Sequence, residues 1–116
     1  MFAYSLMALL FISPAITFAE THVKSGDLDY GATWTKDGSP YILDESVYVP
    51  NDVALSIEAG VSVFSASSTD STPNSNTLTF DGSNLFINGN INDPVNISGL
   101  GYIFLTHSYS DIKNAI

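Results

Sequence analysis

Two kinds of side chain in this sequence have the types and spacing for acid–base chemistry. Two carboxyl groups can act as acid and base across a glycosidic bond when they stand about 5 to 9.5 Å apart. The close pairs in the chain are Asp27 with Asp29 and Asp44 with Glu45. The first pair sits in a glycine-containing lead-in and the second in a turn, so both read as solvated turn acids. The imidazoles are His22 and His107. His22 falls in the flexible lead-in and His107 follows an apolar run, and neither has a visible partner for metal or triad work.

Other candidates reduce to local structure in the same way. Asp37-Gly38-Ser39 and Asp81-Gly82-Ser83 resemble pieces of a calcium loop, but they lack the further oxygen ligands such a loop needs. Ordinary turn chemistry accounts for them. Asn96-Ile97-Ser98 matches the glycosylation sequon yet falls in an expected strand. Trp34, Tyr41, Tyr48 and Phe86 could stack on sugar rings if they face outward. No catalytic, cofactor-binding or metal-ligating residue is assigned; the surplus carboxylates read as solubility in an extracellular setting, with calcium or another cation as the sharper alternative.

The charge balance excludes some partners. Twelve acids face three bases, Lys24, Lys36 and Lys113, for a net charge of −9, and there is no arginine. Such a chain repels phosphate backbones and anionic membranes, so nucleic acid is not an expected partner. Cysteine is absent, so stability must come from packing and backbone ladders or from a larger chain.

The elements that must position these groups begin with a segment that is an address. From Met1 to Phe18 the chain is almost wholly apolar and uncharged, Pro14 interrupts it, and Thr17-Phe18-Ala19 precedes Glu20. This pattern predicts a signal peptide with an apolar stretch from Tyr4 to Phe11 and cleavage after Ala19, although no lysine or arginine precedes that stretch. A spanning helix would need ~20 apolar residues. The mature protein is therefore expected to be secreted or at the cell surface, with no stable membrane span after cleavage.

Beyond Glu20 the chain reads as short strands. Apolar residues alternate with period two in the pairs Val47 and Val49, Leu55 and Ile57, Val61 and Val63, Leu78 and Phe80, Leu85 and Ile87, Val95 and Ile97, Ile103 and Leu105. Turn residues separate them: Pro50-Asn51, Ala59-Gly60, Asp81-Gly82, Asn88-Gly89 and Asp93-Pro94. Asn51 to Glu58 aligns with Asp81 to Asn88, which sets Leu55 against Leu85 and Ile57 against Ile87. Between them the polar stretch Ser65 to Asn76 reads as a loop inserted into solvent. Without it the repeat is about twenty residues, and Ile103 with Leu105 continues the series. Inward Val, Leu and Ile would then stack ~4.8 Å apart along parallel ladders.

The run from Thr33 to Val63 carries Trp34-Thr35, Ser39-Pro40-Tyr41, Pro50, and then Leu55, Ile57, Gly60, Val61 and Val63. This pattern resembles the opening coil of secreted right-handed parallel β-helix repeat proteins of the pectin lyase-like superfamily. Leu85 to Gly89 followed by Pro94 to Ile97 resembles a next, looser coil. The resemblance implies an all-β solenoid of two to three rungs after the signal-peptide helix. The layout is a signal peptide over 1–19, a lead-in and cap over 20–40 in which Trp34 covers the first rung, and rungs over 41–116. Ser110 to Ile116 resembles the start of a further strand, which suggests an amino-terminal piece of a longer protein or an open end that pairs with another copy.

Lyases of that superfamily use a basic residue and neutralise an acidic substrate with positive charge or calcium; three scattered lysines do not supply this. The expected function is a non-catalytic secreted or cell-surface scaffold or binding segment, for polysaccharide or cell-surface glycan, or for adhesion. The alternatives are the amino-terminal part of a polysaccharide lyase or hydrolase with its active site downstream, and a structural protein that self-associates through its open carboxy-terminal edge.

Overall fold

A computed structural model describes residues 20–66 and 76–116. The expected signal peptide and most of the expected insertion lie outside the described residues. The described residues are all-β, with one 3-10 turn at Lys36–Gly38 as the helical element among them. Among the described residues no helix is long and apolar enough to cross a membrane.

Among the described residues eleven strands follow one another: β1 (Thr21–Val23), β2 (Ala32–Trp34), β3 (Tyr41–Leu43), β4 (Val47–Val49), β5 (Ala54–Glu58), β6 (Ser62–Ser65), β7 (Leu78–Asp81), β8 (Asn84–Asn88), β9 (Asn96–Ser98), β10 (Ile103–Thr106) and β11 (Tyr109–Lys113). They form a first sheet in the order β1-β3-β6-β9, a second in the order β4-β7-β10, and a third in the order β2-β5-β8-β11. Every ladder between them is parallel. From β3 onward the chain visits first, second and third sheet in the same order three times. Each pass is one circuit of the chain.

Period two explains which side chains are buried. In β4, β5, β7 and β8 the residues Val47, Val49, Leu55, Ile57, Leu78, Phe80, Leu85 and Ile87 point inward and are all buried. Because the ladders are in register, each inward residue stands on its equivalent in the next circuit: Val47 on Leu78, Val49 on Phe80, Leu55 on Leu85 and Ile57 on Ile87. One-residue slippage would turn each row outward, so the alternation specifies the register.

The corners between the second and third sheets repeat a backbone device. Asp52, Gly82 and His107 take φ of +65°, +68° and +50°, the left-handed region that redirects a strand. Asp52 N–H donates to Gly82 O at 3.1 Å, and Gly82 N–H donates to Thr106 O at 2.8 Å. Beside them Ser83 is buried and its hydroxyl donates to Val49 O at 3.1 Å.

Several expectations are corrected in detail. Ile103 and Leu105 stand on Leu78 and Phe80 in the second sheet and do not extend the row of Leu85 and Ile87. That row is continued by Ser110 and Ile112 in β11. Alternation identifies a strand's inward face but not which side of the circuit it occupies. The lead-in is itself structured: β1 pairs with β3 and β2 with β5, with Leu28 buried between them. Trp34 is buried, opposite Ile57, and stacks on the buried Tyr41 at 4.8 Å between centroids and 17° between planes. The two ends of the polar Ser65 to Asn76 stretch also belong to the fold. Ser65 closes β6, and Asn76 is buried, donating from Nδ2 to Leu43 O at 2.9 Å.

Candidate functional site

The outward positions of the second sheet gather the most chemistry. Tyr48, Thr79 and Phe104 stand in one register row across β4, β7 and β10. Their inward neighbours face the interior, so the alternation that fills the core presents this row to solvent. Tyr48 and Phe104 are both about half exposed. Tyr102 lies two residues before Phe104 and their rings approach to 5.3 Å. Asp81, two residues beyond Thr79, accepts a hydrogen bond from Tyr48 Oη at 3.3 Å on Oδ2. His107 Nδ1 lies 3.9 Å from Asp81 Oδ1. Desolvation first, and then the Asp81 carboxylate, hold the Tyr48 phenol above its ordinary pKa, so it stays a donor. Around the corner, Phe86 on β8 lies 6.0 Å from Tyr109 on β11.

This arrangement is a shallow shelf of aromatic faces with hydroxyl, carboxylate and imidazole groups beside it. Aromatic rings of this kind offer an apolar face and, in tyrosine, a polar tip. The shelf can therefore stack a flat apolar surface and hydrogen-bond its edges.

The sequence-derived candidates distribute as follows. Trp34 and Tyr41 are core residues, so they are not ring-stacking groups for a ligand. Tyr48 does face outward, and Phe86 is partly exposed next to Tyr109. Asp44 and Glu45 are held apart by different partners, Asp44 Oδ1 by His22 Nδ1 at 2.7 Å and Glu45 Oε1 by the Ser25 N–H at 2.7 Å. Each ties a corner to the preceding layer. Asp27 accepts from Lys24 N–H at 2.8 Å, closing a local turn that also contains Asp29.

His22 does have a partner, contrary to expectation. It lies on β1 and meets both Asp44 and, at 3.4 Å, Glu20. The hydrogen bond and charge of Asp44, with a smaller contribution from Glu20, raise its pKa above the ordinary 6.5. The Asp37 segment forms the 3-10 turn, with Ser39 Oγ accepting from Ser62 N–H at 2.9 Å. Asp81-Gly82-Ser83 forms the left-handed corner. Among the described residues no group of three or more histidine, aspartate or glutamate side chains is placed to hold a metal ion. Asn96 is exposed on β9.

Sequence reasoning passed over Tyr102, Phe104 and Tyr109. The signal was present: aligning Val47-Tyr48-Val49 with Leu78-Thr79-Phe80 and Ile103-Phe104-Leu105 puts Phe104 in the outward row. Comparison with protein-family models, with curated proteins and with solved structures gives no match to this chain.

Proposed function

We propose that the chain forms an exported right-handed parallel β-helix whose outer face binds an uncharged polysaccharide or cell-surface glycan without transforming it. Three circuits visiting three parallel sheets in constant order support the helical reading, and the right-handed preference of parallel crossovers supports its hand. The apolar, uncharged first nineteen residues support export. The observation that carries the binding reading is the outward row Tyr48, Thr79 and Phe104, with Tyr102 beside it and Asp81 at its edge. A net charge of −9 disfavours uronate-rich polymers and leaves neutral ones.

Affinity electrophoresis through gels cast with a neutral polysaccharide or with polygalacturonate tests this. Retardation by the neutral polymer, lost in Tyr48→Ala and Phe104→Ala, is the expected result. Migration unaffected by any neutral polymer tried, or retardation that survives both substitutions, contradicts it.

A further inference from the structure

The aromatic shelf has a direction. Tyr48, Thr79 and Phe104 hold one register position on β4, β7 and β10, so their row crosses the strands and follows the stacking of the circuits. Neighbouring strands lie ~4.8 Å apart, which places the backbones of Tyr48 and Phe104 ~9.6 Å apart. The positions two residues either side of Tyr48 and Thr79 hold Ser46, Pro50, Thr77 and Asp81, none of them aromatic. A ligand laid along β4 or β7 therefore meets one ring or none, whereas one laid across the strands meets two. Circuits stacked beyond either end of the row lengthen the shelf and leave its outer surface open.

The groups beside the rings set the polarity of the ligand. The Tyr48 hydroxyl donates to Asp81 Oδ2 at 3.3 Å, which ties that ring to the neighbouring strand. Asp81 Oδ1 lies 3.9 Å from His107 Nδ1, too far for a hydrogen bond. The carboxylate thus keeps acceptor sites for incoming hydroxyl groups. Thr79, between the two rings in the row, adds a hydroxyl on a short side chain.

Sugars joined by equatorial bonds match this spacing and polarity. In an extended β-1,4-linked hexose chain each ring lies flat, spans close to one strand spacing, and is turned over relative to the next. Alternate sugars therefore present the same apolar face about two strand spacings apart, while their hydroxyls point to the edges. Aromatic faces stack on such apolar surfaces. Chains with α-1,4 or β-1,3 linkages curl, and do not keep two sugars flat on rings two circuits apart. We infer, given the neutral-glycan reading on which this rests, that the shelf takes an extended β-1,4-linked hexose polymer laid along the stacking direction of the circuits. One sugar sits on Tyr48, the next over Thr79 with its edge toward Asp81, and the third on Phe104.

Isothermal titration of the chain with oligosaccharides of two to six sugars tests the inference, using β-1,4-linked glucose and mannose series beside β-1,3- and α-1,4-linked glucose series. In a β-1,4 series the affinity is expected to rise about tenfold from two sugars to three, the worth of one added aromatic stack, and by less at each later addition. Phe104→Ala removes that rise, with circular dichroism confirming that the variant is folded. Six-sugar β-1,3- and α-1,4-linked chains are expected to bind about tenfold more weakly than a β-1,4-linked one. Equal binding of all linkages, or affinity that climbs evenly with length in the native chain, overturns the inference. The neutral-glycan reading survives that result if Tyr48→Ala and Phe104→Ala still abolish the binding. No binding in either β-1,4 series also overturns the inference, and the neutral-glycan reading falls with it when the gels show no retardation by any neutral polymer.

Discussion

Leu55 stands directly on Leu85, in register across the β5–β8 ladder and buried with it. The two leucines occupy equivalent places in successive circuits, and neither has room to relax toward solvent. Leu55→Ala or Leu85→Ala is expected to cost about 2–5 kcal/mol, the range for large-to-small changes in a close-packed core. Ser56→Ala, on the outward side of the same strand, is expected to fall within about 0.5 kcal/mol. Urea denaturation of the three variants measures both.

Gly31 takes φ of +78°, and a Cβ there would lie 2.7 Å from the Ala54 carbonyl oxygen. Backbone cannot swing aside as a side chain can. Gly31→Ala therefore combines left-handed strain of about 1–2 kcal/mol with a displacement of the β2–β5 ladder. Thermal melting should show a loss larger than that of Gly26→Ala, where the space is open enough for ordinary contact with Asp29 at 3.8 Å.

Protonated His22 is held by Asp44 and Glu20, so its pKa lies above 6.5 in the folded chain. The folded state binds the proton more tightly than the unfolded state does. The stabilisation is fully present below the unfolded value and is lost as pH rises through the raised folded value. Melting temperatures compared from about pH 5 to about pH 8 should carry a downward component that His22→Gln removes. An unchanged pH profile in His22→Gln would show that the contact contributes nothing.

Asn76 donates from Nδ2 to the carbonyl of Leu43 from a buried position. Asn76→Ala removes this bond while the Ala66 N–H still reaches the same carbonyl at 2.9 Å, so it is expected to destabilise the chain by about 0.5–1.5 kcal/mol. Hydrogen exchange should show the loss first in the amides of β3 and β6, because Leu43 and Ser65 are paired there.

Much of this architecture could be read from residue types. The pairs Leu55/Ile57 and Leu85/Ile87 identify both the strands and their partners, since turn residues flank them in the same places and the intervening polar stretch accounts for the longer spacing. Ile103 with Leu105 was legible as a strand but not as a member of the second sheet, because three sides of a circuit share one alternation pattern. The strands β1 and β2 were obscured by polar residues: three-residue strands at the edge of their sheets bury just Val23 and Trp34, too few for a period to emerge. His22 and Asp44 meet across separate layers, a pairing that exists once β1 is placed beside β3. The aromatic shelf needed the same knowledge, since Tyr48 and Phe104 become neighbours in a row through β7, which contributes Thr79 between them.

The parallel register is the relationship on which the core and the shelf both depend. Nuclear Overhauser contacts in an isotopically labelled chain read it directly. Cross-strand contacts linking Leu55 with Leu85, and Ile57 with Ile87, in the staggered pattern of a parallel ladder are the expected result. Close Hα–Hα contacts joining β4 to β5, or β7 to β8, as antiparallel hairpins would contradict the account.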